Sequence, residues 1–285
     1  MNKKSFIIII VFLSCSTMAK SFNRHELSFN LSGGTSVFLS RQSIGKDHWK
    51  GTTTFGLGYY YLFHQNWGIG TGINLAVYNG GISIKNYDRQ QTVTNTTTGN
   101  AFNFLVSSSN YKETQQAVMI TIPLMAQCQY QYWKKTTFYT AFGFKVGIPV
   151  SAESRLKGVY TTKGYYPNLN VTYENFPDYG FVKDQPFPDD KISIGLKTNF
   201  MASAECGVIW CLFKGSTIYA GIYADYGINN MWNKKNENLV VYQSHSPAHF
   251  AFNTAAYSYA QKVKPIAAGV TFRYVFHLVG KKPRA

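Results

Sequence analysis

The sequence predicts an all-β fold, an eight-stranded antiparallel up-and-down β-barrel that crosses a membrane and carries long extracellular loops. Three observations support this prediction. Apolar residues alternate with small or polar ones along eight segments, the connections between these segments are alternately short and long, and aromatic residues cluster beside the short connections. A barrel wall in lipid needs an apolar outer face and a small or polar inner face, so the three observations agree on one architecture.

The composition favours an aromatic-rich, glycine-rich β protein. Aromatic residues make up 16% of the 285-residue chain and charged residues 14%, whereas soluble domains average about 25% charged residues. No apolar run approaches the roughly 18 residues that indicate a transmembrane helix, which excludes a helical membrane protein. A hydrophobic content of 45% is enough to bury a core, so the composition also excludes a disordered chain.

The start of the sequence predicts an exported protein. Lys3 and Lys4 precede an apolar stretch over residues 6–13, and Ala19 ends a small-residue cleavage site. This pattern is typical of a secretory signal peptide cleaved after Ala19, and the apolar stretch is too short for a membrane anchor. Cys15 leaves a lipoprotein signal open as the alternative.

The predicted cleavage divides the chain into a signal peptide, residues 1–19, and one outer-membrane barrel domain, residues 20–285. Removal of two lysines lowers the formal charge from +15 to +13. On an exported chain this charge favours acidic lipid headgroups as partners and disfavours nucleic acid.

Eight segments show the period-two alternation of strands with one apolar face. In the longest, the even positions from Ile194 to Leu212 are apolar apart from Thr198, and the odd positions between them are mostly small or polar. Such segments exceed the mean strand length of about five to six residues and can cross a bilayer with tilt. The predicted strands are residues 27–39, 55–63, 67–77, 118–132, 138–148, 194–212, 218–226 and 266–276.

The connections predict how the barrel is oriented. Short connections at residues 64–66, 133–137 and 213–216 alternate with long ones at 40–50, 80–112, 151–191 and 229–262. Outer-membrane barrels place short turns in the periplasm and long loops outside, so both termini are expected to be periplasmic. A soluble β-sandwich also alternates apolar and polar faces, but the strand lengths and a predicted aromatic girdle at the periplasmic interface favour the barrel. The girdle residues are Tyr59, Tyr61, Trp67, Tyr130, Tyr132, Trp133, Trp210 and Tyr274.

Charged residues on the inward positions predict a filled lumen. Counting along the strands places Lys145 level with Glu205, with Asp225 at a similar height, and brings Glu26 to Arg273 near the periplasmic end. Three positive and three negative charges cancel, which predicts an electrostatic plug because buried charges persist when they are paired. A proton or ion path, or an acid–base pair of Glu205 and Asp225, is the functional alternative. The predicted lumen charges are Glu26, Lys145, Lys197, Glu205, Asp225 and Arg273.

The long loops at 151–191 and 229–262 contain more aromatic residues than solvated loops need. Two interpretations remain open. The rings pack on one another above the barrel, with the strands continuing outward, or they present a contact surface, because aromatic residues dominate protein interfaces. The candidate loop contacts are Tyr165, Tyr166, Tyr173, Tyr179 and Trp232.

Parts of the wall resemble a known family. Residues 120–124 (Ile-Thr-Ile-Pro-Leu), a turn at 134–135 (Lys-Lys) and residues 142–149 (Phe-Gly-Phe-Lys-Val-Gly-Ile-Pro) resemble the PorT-like/OmpA-like outer-membrane β-barrel family. Residues 219–223 and 225–230 are similar to the penultimate strand of that family. The resemblance implies a barrel wall and no particular chemistry. Some members are accessory parts of secretion or assembly complexes, and some carry a C-terminal peptidoglycan-binding domain, which is not expected here.

No catalytic or metal-binding motif stands out in the sequence, so we expect no enzyme and no cofactor. Ser43, Asp47 and His48 form the one local cluster of catalytic residue types, and a lipid- or peptide-modifying enzyme is therefore a rival interpretation. We expect a structural or interaction role in which the extracellular loops are the contact surface, including a role as an accessory subunit of an envelope complex. The expected partners are outer-membrane lipid and other envelope proteins. The alternative is a narrow passive pore for ions or small solutes.

Overall fold

Eight long strands form the body of the molecule in a computed structural model, which describes residues 25–42, 44–94, 99–131, 136–213, 216–232, 238–246 and 249–277. The predicted signal peptide, Tyr132, Trp133 and the Lys134-Lys135 turn lie outside the described residues. The strands, numbered in chain order, are β1 His25–Gln42, β2 Lys46–Leu62, β3 Trp67–Thr94, β4 Ala101–Gln131, β5 Thr136–Tyr166, β6 Asn199–Phe213, β7 Ser216–Gly227 and β8 Ala260–His277.

The eight strands pair edge to edge into a closed ring. Each strand is antiparallel to the next along the chain, and β8 returns to pair with β1 from Glu26↔His277 to Gln42↔Ala260. Closure gives each strand a pairing neighbour on both sides, although β3 continues beyond Ser83 without a partner on β2. The prediction of an eight-stranded antiparallel up-and-down barrel is confirmed.

Three strands run well beyond their predicted ends. The strands β3, β4 and β5 contain 28, 31 and 31 residues, so most of residues 80–112 is sheet rather than loop. The prediction of a loop over residues 80–112 is wrong, because only segments whose outer face is apolar were predicted as strands. In the extensions the outer face is polar, and the inner face carries buried side chains such as Ile82, Ile84 and Phe104. This is the pattern of a strand with one face in water and one on a core.

Around the part of the wall nearest the short connections, the outer face is apolar. The alternation is sharp on β5, where Phe144 is 61% exposed and the next residue, Lys145, is 9% exposed. This apolar band extends over all eight strands, and its members include Leu27, Phe29, Leu31, Phe55, Leu57, Ile69, Ile73, Leu75, Ile120, Ile122, Leu124, Phe142, Phe144, Ile148, Val150, Phe200, Leu212, Ile222, Tyr226, Val270 and Phe272.

A second core lies beyond the band, in a region that we call the cap. It combines the extensions of β3, β4 and β5 with several short elements. Aromatic rings in its core pack with centroid separations of 5.0 to 5.8 Å, which confirms the interpretation that the rings pack on one another above the barrel. These core rings are Phe102, Phe104, Tyr160, Phe181, Phe187, Tyr242 and Phe252.

The short elements of the cap cover its core and its edge. Strands Val171–Tyr173, Gln185–Pro186 and Lys191–Ser193 pair with β5, and Val240–Tyr242 pairs with Phe250–Phe252. A 3₁₀ helix spans Pro177–Tyr179, and an α-helix spans Ala255–Tyr259 just before β8. Within the described residues, neither of these helices nor any other has the length and apolar character required to cross a membrane.

Substitutions at two neighbouring glycines of β1 can test how closely β1 packs against β8. A Cβ atom on Gly34 would lie 2.2 Å from the carbonyl oxygen of Ala268, whereas a Cβ atom on Gly33 would meet no heavy atom within 4 Å. We expect Gly34→Ala to lower the free energy of unfolding by about 1–3 kcal/mol, because the two strands must separate locally. The control Gly33→Ala should change it by less than about 0.5 kcal/mol. Urea titration in detergent micelles, followed by tryptophan fluorescence, measures both values, and equal losses would contradict the register of β1 against β8.

Candidate functional site in the barrel interior and the cap

Arg273 of β8 organises the lumen near the short connections. Its guanidinium group donates hydrogen bonds to Oε1 of Gln127 at 2.7 Å and to Oε2 of Glu205 at 2.9 Å. A planar guanidinium also packs well on aromatic faces, which offsets part of the cost of burying its charge. Three rings surround it, with their centroids 4.2, 5.0 and 5.6 Å from the guanidinium carbon: Tyr60, Tyr219 and Tyr139.

A second ion pair lies in the lumen between β5 and β7. The Lys145 ammonium donates to both carboxylate oxygens of Asp225, at 2.9 and 3.1 Å. The Tyr78 hydroxyl donates to the same carboxylate at 3.4 Å, and the ammonium lies 5.6 Å from the centroid of the Tyr223 ring. Each charge therefore has a partner of opposite sign and a polar neighbour, as buried charges require.

Glu26 completes the group of interior charges. Its carboxylate accepts hydrogen bonds from the Tyr219 hydroxyl at 3.2 and 3.1 Å, and Gln129 donates to that hydroxyl at 2.9 Å. Tyr219 also faces the Arg273 guanidinium, so one side chain links the carboxylate to the arginine. We refer to Glu26, Gln127, Lys145, Glu205, Asp225 and Arg273 as the lumen network.

The structure changes two of the predicted pairings. Lys145 binds Asp225 rather than Glu205, and Arg273 forms its ion pair with Glu205. The count along the strands is wrong because it placed Phe138 level with Phe213. In the barrel Phe138 pairs with Val208, and this register moves Glu205 away from Lys145. Glu205 and Asp225 lie on the neighbouring strands β6 and β7, and each carboxylate forms its ion pair with a different cation. The acid–base alternative remains a prediction.

Lys197 does not belong to the lumen network, and its prediction is wrong. It is exposed and precedes β6, and its backbone N–H donates to the carbonyl oxygen of Met231 at 2.8 Å. The strand predicted over residues 194–212 begins only at Asn199, so residues 194–198 lie outside it. Ile194, which the alternation predicts on the outer face, is 6% exposed, whereas Phe200 lies on the outer face and is 50% exposed. Ile194 and Phe200 are both at even positions but lie on opposite faces, so counting every second residue does not predict which face a side chain in this segment occupies.

The described girdle residues lie on the outer face beside the short connections. Tyr59, Tyr130 and Trp210 are 37%, 49% and 47% exposed. Tyr61, Trp67 and Tyr274 are half-buried at the same end of the barrel, and His25 stacks on Tyr59 with a centroid separation of 6.1 Å. Their role as an interface girdle remains a prediction.

The candidate loop contacts fall into two groups. Trp232 is 3% exposed and lies within the cap core, so the prediction that it forms a surface contact is wrong. Tyr166 is half-buried and stacks on Phe102, and Tyr165 donates a hydrogen bond to Asn170. Tyr173 and Tyr179 remain on the surface, at 37% and 55% exposure.

Sequence reasoning missed a buried carboxylate beneath the cap. The Glu113 side chain accepts hydrogen bonds from the Tyr111 hydroxyl at 2.9 Å, from Gln115 at 2.7 Å and from the backbone N–H of Ala255 at 2.7 Å. Burial raises the pKa of Glu113 above its ordinary value, although these donors oppose the shift. The alternation of β4 could have predicted this burial, because Tyr111, Glu113 and Gln115 lie on the odd-numbered positions that point inward. Glu113 thereby holds the segment before β8 onto the barrel wall.

The rival catalytic cluster is described only in part, and it remains a prediction. His48 shares a hydrogen bond of 2.6 Å with Ser83, and Asp47 accepts one from the backbone N–H of Ser40 at 2.8 Å. Ser43 lies outside the described residues. Over the same described ranges, no three His, Cys, Asp or Glu side chains gather in a way that would hold a metal ion.

Comparison with known proteins finds similar chains only among solved structures. No family model matches the chain, and no curated protein matches it. The attachment invasion locus protein Ail of Yersinia pestis is 11% identical, with a TM-score of 0.29 and coverage of 89% of this chain and 99% of that chain. OprG from Pseudomonas aeruginosa is 12% identical, with a TM-score of 0.31 and coverage of 88% and 96%. The translocator domain of the autotransporter NalP from Neisseria meningitidis is 8% identical, with a TM-score of 0.20 and coverage of 95% and 93%. The barrel class rests on the strand pairing of this chain.

The Lys145–Asp225 pair provides a test of the lumen network. Asp225→Asn leaves a buried ammonium without its counter-ion, so we expect the free energy of unfolding to fall by about 3–5 kcal/mol. Combining Lys145→Met with Asp225→Leu removes both charges and should restore most of that loss. The measurement is urea unfolding in detergent micelles.

The exposed pair Lys163–Glu174 is the control for this experiment. Its two side chains are 37% and 50% exposed, so Glu174→Gln should cost less than about 1 kcal/mol. If Asp225→Asn lowers the free energy of unfolding no more than Glu174→Gln does, the result would contradict the claim that Asp225 compensates a buried charge on Lys145.

Proposed function

We propose that the protein is a non-enzymatic outer-membrane β-barrel with a sealed interior, which holds its cap outside the cell as a contact surface for another envelope protein. In this proposal residues 1–19 are the signal peptide, residues 20–285 are the barrel domain, and both termini are periplasmic. The role is structural or interactive, including that of an accessory subunit in an envelope complex.

The apolar band supports the membrane position. Monomeric soluble proteins rarely expose a contiguous apolar patch larger than a few hundred Å², whereas this band continues over all eight strands. Backbone closure satisfies the other requirement of a lipid environment, because each of the eight strands pairs with a neighbouring strand on both sides. The exported character of the sequence and the short connections at one end favour an outer membrane with the cap on the outside.

The lumen network supports a sealed interior rather than a pore. Eight strands enclose little more than the volume of their own side chains. Here the lumen contains two ion pairs and several tyrosine rings, and the inward side chains Gln127, Tyr139 and Val275 are 0%, 1% and 0% exposed. An ion passing through would have to displace paired charges at two levels, which is costly in a medium of low dielectric constant.

Exposed apolar residues at the outer edge of the cap carry the proposal of a contact role. The last residues of β5 lie sixteen positions beyond Val150, or about 40 Å above the band if each residue rises about 2.5 Å along a tilted strand. Lipid does not reach that height, so apolar side chains there indicate a protein partner. We refer to these residues as the rim: Leu169, Val171, Tyr173, Phe176 and Tyr179, which are 62%, 39%, 37%, 51% and 55% exposed.

Membership of the PorT-like/OmpA-like family is part of the proposal. Its support is the position of the resembling residues, since residues 120–124 and 142–149 lie on β4 and β5 and supply apolar side chains to the band. In this family such a barrel fits the role of an accessory component of an envelope complex.

Site-specific photo-crosslinking in intact cells tests the contact role. A photoreactive residue replacing Phe176 or Tyr179 should capture one defined envelope protein. The exposed Ser109, on the outer face of β4, is the matched control position and should capture little. Combining Tyr173→Ser with Tyr179→Ser should reduce partner recovery about tenfold, because large aromatic anchors dominate binding energy.

Two results would contradict the proposal. Equal crosslinking from Ser109 and Tyr179 would mean that the rim is not a specific contact. Discrete current steps from the purified protein in planar lipid bilayers would show that the lumen conducts and would favour the narrow-pore alternative.

A further inference from the structure

Three lysines stand in one row on the outer face of the wall, above the apolar band. Lys46 of β2 pairs with Ser83 of β3, Ser83 pairs with Lys112 of β4, and Lys112 pairs with Lys157 of β5. Neighbouring strands lie about 4.8 Å apart, so the row is about 14 Å wide. All three lysines are exposed.

Two more basic residues extend the row into a surface. Arg155 is two positions before Lys157 on the same strand and is exposed. The side chain of Lys50 lies over Gly81 on the outer face, because Cε of the lysine would be 3.2 Å from a Cβ atom placed on that glycine. We define the cationic patch as Lys46, Lys50, Lys112, Arg155 and Lys157.

The charges of the patch are not compensated by the described protein. Within the described ranges, no carboxylate forms a salt bridge with any of the five residues. The carboxylate nearest along β5, that of Glu153, is engaged by Lys191 at 2.6 Å. Like charges directly opposite each other on antiparallel strands destabilise a sheet, and Lys112 and Lys157 occupy such a position. A cluster of basic side chains without carboxylate partners is suited to binding an anion from outside the protein.

The height of the patch narrows the choice of anion. On β5, Arg155 lies five positions beyond Val150, and on β4, Lys112 lies eight positions beyond Ile120. These intervals correspond to about 13 and 20 Å above the band. The headgroup layer of a phospholipid leaflet adds only about 5–8 Å to the hydrocarbon, so its phosphates lie below most of the patch. A charged saccharide attached to a lipid reaches the required height.

We propose that the cationic patch binds the anionic saccharide headgroup of a glycolipid in the outer leaflet, through its phosphate or carboxylate groups. The inference rests on the proposed position of the barrel in the outer membrane. Lysine ammonium groups on β2, β4 and β5 bind several anionic groups of one headgroup, and Arg155 offers a planar guanidinium that matches a phosphate. The lipid therefore contacts the protein twice, at the band with its acyl chains and at the patch with its sugars.

Binding of purified rough lipopolysaccharide with a phosphorylated core tests the inference, with the full-length mature barrel in detergent micelles. Combining Lys112→Gln with Lys157→Gln should weaken binding about thirtyfold, since each basic residue near an anionic lipid surface contributes about fivefold. Combining Lys197→Gln with Lys262→Gln removes the same charge from exposed positions outside the patch, and it should change binding by less than about twofold. The same lipopolysaccharide after dephosphorylation, and phosphatidylglycerol, should both bind the wild type more weakly.

Stability without lipid provides a second measurement. Removing two opposed like charges should leave the urea midpoint of Lys112→Gln/Lys157→Gln unchanged or raise it, so that weak binding cannot be attributed to misfolding. Equal binding by the patch variant and the wild type would overturn the inference, and so would tighter binding of phosphatidylglycerol. Failure of the proposed membrane position would look different, because the protein would then stay in solution without detergent and would not enter vesicles.

Discussion

The closed ring of backbone hydrogen bonds is the constraint on which the rest of this structure depends. Because every strand of the ring has a neighbour on both sides, each side chain in the wall must point either into the ring or away from it. The outer set becomes an apolar surface of the kind that lipid suits, and the inner set fills the narrow interior. Arg273 and Lys145 are tolerated inside because each has a carboxylate partner, Gln127 accepts a further hydrogen bond from Arg273, and tyrosine rings face both cations.

Extended strands of the same ring carry the cap. Three neighbouring strands continue past the band, and their inner faces change from polar pairs to aromatic rings. Glu113 joins the two regions, since its carboxylate anchors the backbone of Ala255 above the lumen. Extension of the wall thus supplies both a rigid support for the rim and an outer surface for the cationic patch, at heights that a short-looped barrel would not reach.

Sequence reasoning could predict what depends on alternation alone. Eight strands, the inward positions of Arg273, Glu205 and Lys145, and the outward position of Tyr59 all follow from a period of two. The partners of the charges could not be predicted, because they depend on the shear between strands, which set Phe138 against Val208. Lys197 and Trp232 were misplaced for a related reason. Both lie in irregular segments, where the contacts that bury or expose a side chain are made by residues distant in sequence.

The central claim is that the outer face of the lower wall contacts hydrocarbon and the upper wall contacts water. Nitroxide labels at single cysteines replacing Phe142, Phe144 and Lys157 of β5 test it most directly, in vesicles and in a background where Cys128, Cys206 and Cys211 are alanine. The account predicts high accessibility to dissolved oxygen and low accessibility to a water-soluble nickel complex at the first two positions, with the reverse at the third. Equal access of the nickel complex to all three labels would contradict it.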